Sequence, residues 1–70
     1  MINLQPQMAL LVANARVMIE TAIMQNYPDI HSFVCQALAD KYDLWYDNHL
    51  PMWLSYVVTG IMNETEKSLT

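Results

Sequence analysis

Hydrophobic residues recur at helical spacing along most of this chain, and the strongest run is Met8 to Met24, MALLVANARVMIETAIM. At roughly 100° per residue, Gln5, Ala9, Arg16 and Glu20 fall in one narrow sector. Arg16 and Glu20 stand four apart, a spacing at which they can pair weakly. Nearly everything else is apolar, with Met8, Leu11, Ala15, Met18 and Ala22 on one flank and Leu10, Val17 and Met24 on the other. A surface helix usually carries an apolar stripe a little over 100° wide, and a helix apolar nearly all round is usually buried. This short chain has few elements to bury it, so a second copy is expected to supply a wall. Leu10, Leu11, Asn14, Val17 and Met18 are the candidate interface residues. Asn14 lies within the apolar side. It either sits at a partly wet edge or pairs with a partner and fixes register, as interface asparagines do in coiled coils.

The next pattern is carried by polar residues. Asp29, Ser32, Gln36, Asp40, Asp43 and Asp47 fall within about 40° of one line at the helical period, and Ile30, Val34, Leu38, Tyr42 and Trp45 lie opposite. The phase predicts one unbroken helix from Pro28 to about Asn48. Asp29 suits the positive end of its dipole and Asp47 does not suit the other end, so fraying is expected there. Further on, Leu54, Val57, Val58 and Ile61 make an apolar stripe, and Trp53, Tyr56 and Gly60 a neighbouring patch. They predict a third helix from about Pro51 to Glu64 or Lys67. Gly60 marks either a close helix approach or an exposed, neutral position. Asn63 to Thr70 is polar and is expected to fray.

Pro6, Pro28 and Pro51 each open one of these segments, and proline is favoured in the first helical turn. Asn3 is the expected cap of the first helix, and Asn26 or Tyr27 of the second. Alternating strand patterns of useful length and Asn-Gly or Asp-Gly turns are missing. The fold class that follows is an all-α, three-helix single domain over residues 1–70, packed or intertwined as a homodimer.

Composition sharpens the oligomer argument. Of 70 residues, 54% are hydrophobic and 14% charged, while a chain of this size buries only about 60% of its unfolded surface. The net charge of −4, with only Arg16, Lys41 and Lys67 basic, argues against nucleic acid, whose phosphates need a basic face. It also argues against an anionic membrane surface. The uncharged apolar run Leu50 to Met62 is too short to span a bilayer, and Arg16 and Glu20 interrupt the other candidate. The single Cys35 excludes an intrachain disulfide and fits a reducing, cytoplasmic setting. Met1 to Pro6 has no basic segment and no cleavage site follows the apolar run, so a signal peptide is not expected.

Candidate chemistry is sparse. His31 and Cys35 are four apart on the second helix, a spacing that could make a thiolate nucleophile, but a packed structural pair is favoured because no orienting residue is evident. Asp40, Asp43 and Asp47 form a carboxylate row beside His49. It reads first as a solvated face rather than a cation site, because no loop could wrap an ion, and as a weaker third reading as an acidic patch for a basic partner. The motifs HExxH and CxxC and a glycine-rich phosphate loop are absent, and neither metal nor cofactor is expected. Tyr42, Trp45, Tyr46, Trp53 and Tyr56 flank the second turn, either as core or as a partner surface rich in the residue types of binding hot spots.

The expected function is therefore non-catalytic binding of another protein, as a small inhibitor or adaptor. Such compact acidic helical proteins are a type common among phages and mobile elements. The partner surface would comprise Trp45, Trp53, Tyr46, Tyr56, Asp40, Asp43 and Asp47. The alternatives are an enzyme or ligand-binding module whose site forms between subunits, using His31, Cys35 or the aspartates, and a structural subunit of a larger assembly.

Overall fold

The computed structural model describes residues 5–69. It contains three helices, α1 (Gln5–Met24), α2 (Ile30–Tyr42) and α3 (Met52–Leu69), each packed on the other two. The expected Asn3 cap lies outside the described residues. Their shared core takes Leu11, Ala15 and Ile19 from α1, Val34, Cys35, Leu38 and Ala39 from α2, and Leu54, Val58 and Ile61 from α3. The stripe expected on α3 is therefore the one that packs, with Val57 partly buried beside it.

One glycine serves the whole chain, so asparagine and aspartate take the left-handed backbone positions. The described residues with positive φ are Asn26, Asp29, Asp43, Asp47 and Asn48. These residue types tolerate that region better than other side chains do. Asn26 (φ 54°) ends α1. Its N–H donates to the Ile23 carbonyl, and the Tyr27 N–H donates to that of Ala22, which makes the two-bond Schellman closure. Asp29, rather than Asn26 or Tyr27, caps α2, its carboxylate accepting from the Ser32 N–H at 3.3 Å.

The second helix stops at Tyr42 and does not reach Asn48. Asp43 turns left-handed (φ 54°), and the N–H groups of Asp43 and Leu44 both donate to the Ala39 carbonyl. The reason lies in Leu44. Continued at the helical period, the helix would carry Leu44 to the solvent side and Trp45 to the core side. The turn reverses both, so that Leu44 packs against the core and Trp45 is exposed. Beyond it, Asp47 (φ 46°) and Asn48 (φ 66°) occupy the centre of a tight turn. That turn is closed by paired backbone bonds between Tyr46 and His49 of 2.9 and 2.7 Å, and two positive φ values in succession are the signature of a type I′ turn. The uniform polar phase from Asp29 to Asp47 thus has two origins, a solvated helix face up to Asp40 and backbone requirements after it.

The third helix runs beyond the expected fraying point at Asn63, to Leu69. Thr65 is buried and returns its hydroxyl to the Ile61 carbonyl at 2.8 Å. Arg16 pairs with Glu64 of α3, at 3.6 Å, instead of with Glu20. Both side chains are half exposed or more, so the pair contributes little to stability. Gly60 faces open space, and no close helix approach occurs there.

Candidate protein-binding surface

The aromatic surface begins where α2 ends. The left-handed turn at Asp43 swings Trp45 outward, and the indole N–H then donates to the Asp40 carboxylate at 2.6 Å. A bond to a charged acceptor is among the stronger hydrogen bonds, and it holds the ring against one turn of α2. Trp53, in the first turn of α3, is 42% exposed and Trp45 is 39% exposed. Tyr46 and Tyr56 are more open still, and Asp40, Asp43 and Asp47 are exposed. Leu50 and Met52 extend the same exposed apolar segment.

A cavity of about 440 Å³ opens between Gln7, Met8, Leu11, Tyr42, Leu44 and Trp53. This lies within the range of roughly 300–1,000 Å³ typical of ligand-sized clefts. Gln7, Met8 and Leu44 carry no sequence signal for a site, and a continuous second helix would turn Leu44 to solvent. Tyr42, one of the five aromatics, points inward and accepts a hydrogen bond from the Asn14 side chain. Asn14 is therefore partnered inside its own chain. Leu11 is buried in the chain's own core, and Met18 packs partly against it. Of the five residues expected to meet a second copy, only Leu10 and Val17 face outward.

Cys35 and His31 do meet. The sulfur lies 3.9 Å from both ring nitrogens of His31, a long contact even for sulfur. The His31 Nε2 lies 3.1 Å from the Ser55 carbonyl oxygen and 3.3 Å from the Ser55 hydroxyl. Among the described residues no carboxylate bonds to His31. Burial pushes the Cys35 thiol up, and the Asp29 charge adds to it. The thiol therefore stays protonated at neutral pH, the opposite of what a nucleophile needs. Native protein is expected to react with a thiol reagent far more slowly than urea-unfolded chain. The sign of the pH effect follows: because the folded chain holds this proton more tightly, the contribution is fully present below the ordinary thiol pKa of about 8.5. It is lost as pH rises above that. Urea titrations from pH 7 to 10 should show a loss that Cys35→Ala lacks. Equal reactivity in the folded and unfolded states would show that the site is open.

Among the described residues, no group of three or more His, Cys, Asp or Glu side chains is placed to share an ion. One helix segment, Gln7–Met24, is long and apolar enough to cross a membrane, with a mean hydropathy of 1.2 over 18 residues. The same segment supplies four buried residues to the fold, Leu11, Ala15, Ile19 and Ala22. It also carries Arg16 and Glu20 near its middle, and a basic side chain at a bilayer centre is unfavourable by about 2.5–3.5 kcal/mol on insertion scales. Compared with protein-family models, with curated proteins and with solved structures, the chain matches none.

Proposed function

We propose that this chain is a non-catalytic protein-binding module, working as a homodimer, that inhibits or bridges a partner through the turn between α2 and α3. The observation that carries the reading is the pair of half-exposed tryptophans, with Trp45 held in place by Asp40. A fixed aromatic ring offers desolvated contact area at low entropic cost. Asp40, Asp43 and Asp47 flank it along the chain, and Lys41 is the one basic residue of that segment. That balance suits a basic protein surface and opposes a phosphate backbone.

The test is capture of a partner from lysate by wild type and variants, with helicity measured in parallel. Trp45→Ala or Trp53→Ala is expected to weaken partner binding about tenfold or more while the circular dichroism spectrum is kept. Asp43→Asn, which retains tolerance for the left-handed backbone, should slow association chiefly at low salt. If both tryptophan variants unfold and Asp43→Asn binds normally, the proposed surface is wrong.

A further inference from the structure

The outer face of α1 is left uncovered by the chain. Leu10, Val17 and Met24 are 60%, 61% and 83% exposed. Spaced seven residues apart, they form one line along the helix, turned away from the buried Leu11, Ala15, Ile19 and Ala22. Ala13 and Thr21 beside that line are small and exposed, which lets another helix approach closely. Near its C-terminal half a cavity of about 230 Å³ opens, bounded in part by Thr21, Gln25 and the stacked rings of Tyr27 and Phe33. The stack joins Tyr27 in the turn between α1 and α2 to Phe33 of α2, where no periodicity announced it.

We propose that a second copy of this chain covers that face, α1 against α1, antiparallel about a two-fold axis at Val17. This names the face and direction of the dimer and rests on the homodimer reading above. The stripe is self-complementary: Leu10 and Met24 lie at equal distances from Val17. Antiparallel pairing therefore sets Leu10 against Met24 of the second copy and Val17 against itself, as an isologous interface requires. Charge selects the direction. Arg16 and Glu20 lie on the same flank of the stripe, and antiparallel helices bring like flanks together. Arg16, which reaches Glu64 of its own chain at 3.6 Å, then comes within about 3 Å, along the axis, of both Glu20 and Arg16 of the second copy, at 1.5 Å rise per residue, so two opposite-charge approaches outnumber one like-charge approach. Glu20 forms no salt bridge within the chain among the described residues. A parallel pair would set this charged flank against Asn14 and Thr21 instead, and would align the two helix dipoles unfavourably. In the antiparallel pair Leu10 of the second copy stands level with Met24.

Light scattering at tens of micromolar should give wild type the mass of two chains. Val17→Glu should give one chain with an unchanged circular dichroism spectrum, because Val17 is exposed in the folded chain. Trp53→Ala should remain dimeric. Direction is read by oxidative cross-linking, with wild type as the baseline because Cys35 is buried. Val17→Cys should cross-link to itself. Leu10→Cys should not, since its two copies stand about 21 Å apart, far beyond disulfide reach. Leu10→Cys mixed with Met24→Cys should cross-link. A one-chain mass for wild type, a dimer that survives Val17→Glu, or a dimer lost in Trp53→Ala overturns the face. Self-cross-linking at Leu10 overturns the direction. If Val17→Glu unfolds, the cross-linking yields decide alone. Partner capture by the monomeric variant reports on the aromatic surface separately, so failure of one reading is distinguishable from failure of the other.

Discussion

Leu38→Ala is expected to destabilise this protein by about 2–5 kcal/mol, the range for removing a fully buried leucine side chain. Leu38 has no exposed surface and belongs to the core shared by all three helices. The loss has two parts: hydrophobic transfer of the deleted atoms and the void left when three packed helices relax only partly. A domain of this length is stable by only about 4–10 kcal/mol, at roughly 0.05–0.15 kcal/mol per residue. Leu38→Ala should therefore remove a large fraction of the total stability. Met52→Ala, at an exposed position in the first turn of α3, should change stability by less than about 0.5 kcal/mol. Urea titration followed by circular dichroism compares the two at one protein concentration. A loss below about 1 kcal/mol for Leu38→Ala would show that the three helices do not share this core.

Asp43→Val is expected to be unfavourable by about 2 kcal/mol, and Asp43→Gly to be neutral or stabilising by up to about 1 kcal/mol. The backbone at Asp43 has φ 54° and ψ 54°. This region is unfavourable for most residues by about 1–2 kcal/mol and worst for a β-branched side chain, whereas glycine enters it freely. If Asp43 were a surface position on a continuing helix, the order would reverse: glycine, about 1 kcal/mol below alanine in helix propensity, would be the less stable variant and valine the more stable. Urea midpoints of the two variants therefore read the backbone conformation directly. Asp43→Gly also removes a carboxylate from the proposed partner surface while keeping the turn. Weaker partner binding together with raised stability would separate the two roles of this residue.

The sequence by itself determined the helical class, the number of helices and nearly all of α1. Those features follow from local physics: hydrophobic residues at the helical period, prolines in or just before first turns, and a lack of strand alternation. The stripe Leu54, Val58 and Ile61 was legible for the same reason. The helical period located the apolar flanks of α1 without ranking them, because Leu11 and Leu10 are equally hydrophobic. Only the packing of α2 and α3 made Leu11, Ala15 and Ile19 the inner line and left Leu10, Val17 and Met24 outside. Likewise the partner of Asn14 is a tyrosine 28 residues away, beyond what periodicity can register. The end of α2 was also a tertiary decision. The polar phase continued smoothly through Asp43 and Asp47, and local propensity set no stop there. Docking Leu44 on the core requires a left-handed residue just before it, and that contact turned two aspartates from helix-face residues into backbone hinges and put Trp45 on the surface.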